Sequence, residues 1–341
     1  MRAFPVSRRS FLLSATALAA SWGCRRRSES VVVLYCSLDR PLAAPILAAF
    51  TRDTGIGVEV VYDTEATKST GLASRIVAES SRPRADVFWS SEVARMTQLA
   101  ADAALAAYPP RGVEEIPARY RDAEGFWTGF AGRFRVLAYN RELAPSPPKT
   151  LAELAEPAWR GRVAMADPLF GTTATEAAAL FQVWGPEKAE AYYRRRKENK
   201  TRLVDGNSVA ARLAAEGDIA VAQTDTDDAY RLLAEDKPLG IVFPNQEGEG
   251  ALMIPNTVGL IHAGPHPEAG KALIDYLIRP ETELALARST ARQLPLSKSL
   301  QDRLPAEVAD LAAVKRLEVD YSRLAENLDA AQTFLRVLFS D

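Results

Sequence analysis

The sequence predicts an α/β protein of two lobes, each a mixed, largely parallel sheet flanked by helices. Strand and helix patterns alternate along most of the chain, which is typical of parallel βαβ units with right-handed crossovers. Two long extended stretches, near 129–139 and 251–261, interrupt this alternation. The length of 341 residues also favours two domains. A chain that leaves one lobe, builds a second and returns has two crossing strands, and these predict a hinged cleft.

The outer part of the chain supplies the first elements in order. The β-branched run 31–35 predicts a buried strand, and apolar residues at helical spacing predict a helix over 41–53. Strand 58–62, helix 71–80, strand 85–89 and a helix from Ser91 follow. This alternation predicts the sheet of lobe 1 over 31–132, completed by 257–300 after the chain returns.

The inner block, 133–256, predicts lobe 2. Its predicted strands are 163–165, 203–204, 219–222 and 241–243, and its predicted helices are 172–183, 186–197 and 208–216. Helices 267–278 and 280–288 then belong to lobe 1. The remaining segment, 301–341, has apolar residues at helical spacing, and we expect a helical tail packed on the lobes.

The N-terminal residues 1–23 predict an export signal. They carry three arginines and no acid, followed by the apolar run 11–20, which is too short to span a bilayer. Ser7-Arg8-Arg9-Ser10-Phe11-Leu12 resembles a twin-arginine export motif. Gly23-Cys24 resembles the end of a lipobox, which predicts lipidation of Cys24, with ordinary cleavage nearby as the alternative. Residues 24–30 then form a short charged tether to a membrane surface.

Composition excludes several function classes. The net charge of −2, which becomes −5 when residues 1–23 are removed, argues against a nucleic-acid binder. Two His and two Cys leave little for a zinc site or a disulfide scaffold. If Cys24 carries lipid, Cys36 is a lone thiol, and we expect it to be sheltered. We expect a periplasmic or otherwise extracytoplasmic monomer without a cofactor.

A series of local motifs follows in a specific order over about residues 31–300. These are Val33-Leu34-Tyr35-Cys36-Ser37-Leu38-Asp39, Arg84-Ala85-Asp86-Val87-Phe88-Trp89-Ser90-Ser91, Trp159-Arg160-Gly161-Arg162-Val163, Asp205-Gly206-Asn207-Ser208, Ile254-Pro255-Asn256-Thr257-Val258 and Gln293-Leu294-Pro295-Leu296. In this order the motifs resemble those of the extracytoplasmic solute-binding proteins of ABC importers, and among them the ferric-iron-binding family. The resemblance implies a two-lobed periplasmic-binding-protein fold (type II-like), an ABC permease with a separate ATPase as partners, and ferric iron, alone or with a synergistic anion, as the default ligand.

The iron ligands of that family do not carry over. The resemblance implies a His near Asp39, a Glu near Ser91 and a Tyr pair within 224–228, and none of these positions has the implied residue. Tyr192-Tyr193 lies earlier, in a predicted helix, and we expect it on a half-buried helix surface. The scarcity of His agrees with these missing iron ligands, so the identity of the solute stays open.

Loops at the carboxyl ends of strands supply the candidate ligand-binding residues, because ligands of open α/β sheets bind there. Their hydroxyl, amide and carboxylate groups suit a polar or charged solute. The predicted residues are Ser37, Asp39, Lys68, Ser90, Ser91, Thr172, Thr173, Asn207, Thr224, Asp225 and Asp227.

Two of these loops indicate opposite charges for the ligand. Gly171-Thr172-Thr173 opens a helix and suits an anion, with a plain Thr N-cap as the alternative. Lys68 is a candidate compensating charge or a solvated loop residue. The segment 224–228 has three carboxylates and suits a cation or an ammonium group, with stabilisation of a helix dipole as the alternative. Both patterns fit a zwitterionic solute.

Enzyme motifs are absent from the sequence. It has no G-x-S-x-G, no G-x-x-x-x-G-K-[ST] and no H-E-x-x-H pattern. We therefore expect a receptor without catalytic residues. A receptor for a phosphonate or sugar phosphate, a periplasmic sensor subunit and, last, an exported hydrolase using the Asp cluster stay open as alternatives.

Overall fold

The computed structural model describes residues 31–64 and 69–340. Its strands are β1 (Val31–Cys36), β2 (Gly57–Tyr62), β3 (Val87–Ser90), β4 (Leu105–Ala106), β5 (Thr128–Asn140), β6 (Val163–Ala166), β7 (Arg202–Val204), β8 (Val221–Asp225), β9 (Leu239–Val242) and β10 (Met253–Ile261). Its α-helices are α1 (Arg40–Thr54), α2 (Thr70–Ala78), α3 (Ala94–Ala101), α4 (Gly171–Trp184), α5 (Pro186–Glu198), α6 (Asn207–Glu216), α7 (Thr226–Ala234), α8 (Pro267–Leu277), α9 (Pro280–Ala287) and α10 (Leu324–Leu338).

The strands form a single curled sheet in the order β2-β1-β3-β10-β5-β8-β6-β7, with β4 beside β10 and β9 beside β5. The βα units give the parallel pairs β1–β2, β1–β3, β6–β7 and β6–β8. Every antiparallel pair involves one of the two long strands, β5 or β10. The α/β architecture with two crossing strands is therefore confirmed.

The two lobes meet along β5. The first part of β5 pairs with β10 as far as Phe134, and from Arg135 onward it pairs with β8. We define lobe 1 as β1–β4 and β10 with α1–α3, α8 and α9, and lobe 2 as β6–β9 with α4–α7. The predicted boundaries at 132/133 and 256/257 lie next to this change of partner, and their assignment as domain limits stays a prediction.

Both faces of each lobe's sheet are buried, because successive side chains of a strand point into the apolar clusters on opposite faces. On β1, Leu34 packs toward α1 and α8, whereas Tyr35 packs toward α2 and α3. On β5, Val136 and Leu137 likewise belong to different apolar clusters. Sheets buried on both faces need continuous apolar runs, which is the pattern that predicted these strands.

The tail corrects one expectation, because residues 301–341 are not helical throughout. Within the described part of the tail, the only α-helix is α10, and the preceding segment has short 3₁₀ turns and a single bridge from Arg316 to Ala251. Pro305 removes a backbone donor from this segment, and the pairing with Ala251 holds its later part extended.

The last helix, α10, packs against α4 and α5 of lobe 2 and against α3 of lobe 1. Leu324, Leu328 and Leu335 are completely buried, and each contributes about 1.5–3 kcal/mol of transfer free energy. Gln332 donates to the carbonyl of Leu169 in lobe 2 (2.9 Å). The tail therefore joins the lobes at a second place besides the crossing strands.

Among the described residues, no helix is both long and apolar enough to cross a membrane. The predicted export signal and Cys24 lie outside the described residues.

Candidate functional site

A narrow cavity of about 30 Å³ lies between the lobes at the carboxyl ends of β6 and β8. Helices α4, α6 and α7 begin beside it, so the positive ends of three helix dipoles face the cavity. Its lining is mostly polar. The residues that line it are Asp39, Ser91, Arg133, Ala166, Asp167, Phe170, Gly171, Thr172, Asp205, Gly206, Asn207, Asp225, Asp227 and Asp228.

A larger cavity of about 410 Å³ adjoins the first and shares Asp39, Asp227 and Asp228 with it. It forms an outer chamber between the β1–α1 loop of lobe 1 and helices α6 and α7 of lobe 2. The other polar residues that line it are Ser37, Arg40, Tyr62, Asp63, Thr64, Ser208, Arg212, Arg231 and Thr290. We call the two cavities together the cleft.

Asp225 organises the floor of the cleft in lobe 2. Its Oδ1 accepts a hydrogen bond from Arg135 Nη1 at 2.7 Å, and its Oδ2 accepts from Thr172 Oγ1 at 2.6 Å and Asn207 Nδ2 at 3.3 Å. Arg135 Nη1 also donates to Asn207 Oδ1 at 2.9 Å. One guanidinium and one carboxylate therefore fix the side chains of Thr172 and Asn207.

Arg135 is also held by a second buried carboxylate. Its Nε donates to Glu176 Oε2 at 2.9 Å, and the same oxygen accepts from Gln223 Nε2 at 2.8 Å. Burial lowers the pKa of the Arg135 guanidinium, but Glu176 and Asp225 outweigh burial and raise that pKa above its ordinary value. The side chain is 1% exposed, so Arg135 is a permanent buried cation behind the floor.

Arg133 lies two residues earlier on the same face of β5 and lines the cleft. Its Nη1 donates to Asp227 Oδ2 of lobe 2 at 2.9 Å, and its Nη2 donates to the carbonyl of Ser91 in lobe 1 at 2.5 Å. Burial lowers its pKa, but the carboxylates of Asp227 and Asp225 raise it by more. Arg133 therefore stays charged and contacts both lobes at once.

The lobe 1 wall of the cleft is built from serines. Ser37 Oγ accepts from the backbone N–H of Ser91 at 2.7 Å and from Ser69 Oγ at 3.0 Å. These bonds tie the loop after β1 to the loop after β3, which explains why both loops border the same cavity. All three serines are buried.

A buried carboxylate joins the lobes next to the cleft. Glu92 Oε2 of lobe 1 accepts a hydrogen bond from Thr175 Oγ1 of α4 at 2.6 Å, and its Oε1 accepts from the N–H of Arg95 at 3.1 Å. Burial raises the pKa of Glu92, and the bond from Thr175 and the charge of Arg95 oppose that rise only in part.

The structure brings most of the predicted ligand-binding residues together. Those that border the cleft are Ser37, Asp39, Ser91, Thr172, Asn207, Asp225 and Asp227. Three others do not line the cleft, and their hydroxyls make internal bonds: Ser90 bonds Glu92, Thr173 bonds Asn207, and Thr224 bonds the carbonyl of Asn207. That these three bind the ligand stays a prediction. Lys68 lies outside the described residues.

The Tyr pair and the Glu near the implied iron-ligand positions do not line the cleft. Tyr192 and Tyr193 lie on the core-facing side of α5 and are buried, whereas a half-buried position was expected. They do not line the cleft. Glu92, one residue beyond the position where the resemblance implies a Glu, points into the lobe interface. Among the described residues, none that lines the inner cavity is a Tyr or a His.

Sequence reasoning missed both arginines of β5. Arg133 and Arg135 alternate along an otherwise apolar extended stretch, so they lie on one face of the strand. Two charges at period 2 within a crossing strand were a usable signal, since buried charges need partners. Asp228 belongs to the same acidic loop and also lines the cleft, and the sequence pattern did not single it out.

Comparison with known proteins gives the chain its family. The family model described as "Bacterial extracellular solute-binding protein" matches residues 82–323. "Iron uptake protein A1" of Synechocystis sp. is 28% identical over 290 residues, covering 80% of this chain and 79% of that protein.

Solved structures share the fold. Iron-bound HitA from Pseudomonas aeruginosa superposes with a TM-score of 0.80 at 24% identity, covering 91% of this chain and 99% of that one. The periplasmic binding protein AfuA from Actinobacillus pleuropneumoniae, with fructose-6-phosphate bound, gives 0.81 at 18% identity, covering 92% and 99%. These likenesses confirm the two-lobed periplasmic-binding-protein fold, and the match over most of the chain shows that it belongs to the bacterial extracellular solute-binding proteins.

Proposed function

We propose that the chain is the extracytoplasmic receptor of an ABC importer and captures a small charged organic solute in the cleft. The observation that carries the proposal is the mixed charge of the cleft walls, where Arg133 and Asp227 meet at the junction of the two lobes. A solute with both an acidic and a basic group, such as an aminophosphonate, finds partners for both groups there.

The dimensions of the cleft support an organic solute. The outer chamber of about 410 Å³ has the size of a small-molecule site, which is typically about 300–1,000 Å³. The inner cavity of about 30 Å³ holds a single small group. A solute that spans both cavities places one polar group beside Thr172 and Asn207 and extends its remainder toward Arg40 and Arg212.

Ferric iron with a synergistic anion is the second candidate. One observation favours it: carboxylate oxygens of Asp225, Asp227 and Asp228 lie within 4.8 Å of one another, and hard cations prefer oxygen ligands. The similar proteins also include an iron uptake protein and an iron-bound binding protein.

Capture is proposed to use hinge closure about the crossing strands β5 and β10. Arg133 contacts Ser91 of lobe 1 and Asp227 of lobe 2, so we expect these contacts to form as the two walls approach each other. Closure then presents both lobes to a membrane permease, while a separate ATPase supplies the energy. A periplasmic sensor subunit would use the same cleft, and genes for a permease and an ATPase beside this one distinguish transport from sensing.

We further propose that the mature chain is exported and held at a membrane surface by lipid on Cys24. The support is the sequence pattern of residues 1–24. Mass spectrometry of the protein purified from membranes tests this: a diacylglyceryl-modified Cys24 supports anchoring, and an unmodified N-terminus near residue 24 refutes it.

A thermal-shift screen of the metal-stripped mature protein tests the ligand class. The probes are Fe(III), Fe(III)–citrate, phosphonates with and without an amine, sugar phosphates and polyamines. A ligand at 100 times its Kd stabilises the folded state by about 2.7 kcal/mol. We expect an organic solute to raise Tm, and Thr172→Val to reduce that shift.

Thr97→Val is the matched control, because Thr97 is buried in α3 and bonds only the carbonyl of Ala94 within its own helix. A shift with Fe(III) that no organic probe reproduces would overturn the organic-solute proposal in favour of iron.

A further inference from the structure

Each carboxylate of the acidic cluster has its own arginine. Arg135 Nη1 lies 2.7 Å from Asp225 Oδ1, and Arg133 Nη1 lies 2.9 Å from Asp227 Oδ2. In the third pair, a nitrogen of Arg231 lies 3.5 Å from Asp228 Oδ1. Each of the three carboxylates therefore faces a guanidinium group, and Arg135 shares its charge between Asp225 and Glu176.

Two of the three arginines are fixed in place. Arg135 and Arg133 have side-chain exposures of 1% and 3%, whereas that of Arg231 is 40%. Arg135 is also bonded to Glu176, and Arg133 to the carbonyl of Ser91. Because these groups are buried and anchored on a second side, neither guanidinium can swing into water without breaking several charge-assisted bonds.

A guanidinium also cannot lose its positive charge by giving up a proton, since arginine stays protonated in proteins. A hard metal cation in this cluster would therefore share its carboxylates with two immobile positive charges a few ångströms away. The oxygens facing the arginines are Asp225 Oδ1 and Asp227 Oδ2, and Thr172 and Asn207 already use the other oxygen of Asp225.

We infer that Arg133 and Arg135 are specificity-determining residues: they act as built-in cations of the acidic cluster and exclude hard metal ions from Asp225 and Asp227. The inference rests on the proposed function in so far as this cleft is the ligand site. It deepens that function, because a cleft in which Asp225 and Asp227 already face fixed cations selects solutes by their hydrogen-bonding groups as well as by their charge.

The inference makes an unusual prediction about single substitutions. Replacing Arg135 by an apolar residue of similar length removes one positive charge and leaves Asp225 uncompensated beside Asp227 and Asp228. Three carboxylates with one counterion fewer offer a hard cation oxygen ligands with less repulsion from the protein. The loss of an arginine should therefore create metal binding that the natural protein lacks.

Isothermal titration with Tb(III), a hard trivalent cation that prefers oxygen ligands, tests this on the mature chain. We expect the natural protein to show no Tb(III) binding that depends on Asp225. Arg135→Met should bind Tb(III) at least tenfold more tightly than the natural protein, and Asp225→Asn added to it should abolish the gain. Arg202→Met is the matched control, since Arg202 is exposed on β7 away from the cleft.

Arg133→Met repeats the test through Asp227 in case Arg135→Met does not fold. If neither variant folds, the natural protein decides the question, because comparison with Asp225→Asn reports directly on Tb(III) at the cluster. Tight Tb(III) binding by the natural protein that Asp225→Asn removes would overturn the inference, as would a folded Arg135→Met without gain. These results do not depend on finding an organic solute, so they are separate from the thermal-shift screen.

Discussion

The hydrogen bond between Thr175 and Glu92 joins the two lobes, and Thr175→Val removes it while keeping the shape of the side chain. The Thr175 hydroxyl donates to Glu92 Oε2 over 2.6 Å, and both residues are about 1% exposed or less. Water therefore cannot replace the lost donor without opening the interface. We expect the variant to destabilise the arrangement in which the lobes are in contact.

The size of the effect follows from the charge of the acceptor. A hydrogen bond to a charged group contributes about 1.5–3 kcal/mol, against about 0.5–1.5 kcal/mol for a neutral pair. A loss of about 2 kcal/mol corresponds to a factor of about 30 in the ratio of closed to open protein, since each 1.4 kcal/mol is tenfold. Solute affinity should fall by up to the same factor, because the apparent Kd rises as the closed state becomes rarer.

The effect of Thr175→Val on the free energy of unfolding should depend on pH through the carboxyl group of Glu92. Burial raises the pKa of Glu92 above the unfolded value of 4.5, so the folded protein takes up a proton more readily than the unfolded chain. The free energy of unfolding therefore falls as pH rises from about 4.5 through the raised pKa. The Thr175 bond favours the ionised carboxylate, so its loss should cost more at pH 8 than at pH 5.

Urea unfolding at the two pH values measures the stability change, and titration with a solute found by the thermal-shift screen measures the affinity change. Thr97→Val is again the control, because its bond lies within lobe 1. If Thr175→Val costs no more than the control at pH 8, the interlobe bond contributes nothing and the reasoning is wrong. A stability loss without a loss of affinity would show that the bond also persists in the open state.

Three further substitutions test the crossing strands and the segments packed on them. Gly132→Ala places a Cβ against the sulfur of Met253 between β5 and β10, and we expect urea unfolding to show a loss of about 1–3 kcal/mol. Glu283→Gln removes one acceptor from a buried carboxylate that binds three backbone N–H groups, and calorimetry should show a lower Tm, equivalent to about 1–3 kcal/mol. Tyr321→Phe leaves the carbonyl of Met253 without its hydroxyl donor, so hydrogen exchange along β10 should accelerate about fivefold to tenfold, corresponding to about 1 kcal/mol.

Much of the fold follows from local patterns in the sequence. The helix predicted over 172–183 is α4, and the extended stretch predicted near 129–139 is β5. Both patterns are local, because helical spacing and β-branched runs report which face of an element is buried. The tail shows the limit of such patterns: apolar residues of 304–319 face the core, but the extended pairing of Arg316 with Ala251 overrides their helical spacing.

The candidate site was predictable only in part. Loops at strand ends gave Thr172, Asn207 and Asp225 because parallel strands bring their carboxyl ends to one edge. Whether a hydroxyl on such a loop points into the cleft is decided by its partners, and Thr224 instead bonds the carbonyl of Asn207. No local pattern carries that information.

The partners of the two arginines could not be found from spacing, since Arg133 and Asp227 are 94 residues apart. The chemistry of the acidic loop alone predicted a bound cation. The structure instead places the cationic side chains of Arg133 and Arg135, on the crossing strand β5, beside the acidic loop. A buried charge of one sign predicts a partner of the other sign, and a search for unpaired charges in apolar strands would have led to Arg133 and Arg135.

The position of these arginines on β5 also bears on the energy of ligand capture. Taking a guanidinium and a carboxylate out of water costs several kcal/mol for each ion in proteins. For Arg135 and Asp225 this desolvation is complete within lobe 2, because Glu176, Thr172 and Asn207 all belong to that lobe. The cost is therefore part of folding and does not recur at each closure. A solute entering the cleft meets hydroxyl and amide groups that are already oriented, and the free energy of its binding can drive closure of the hinge.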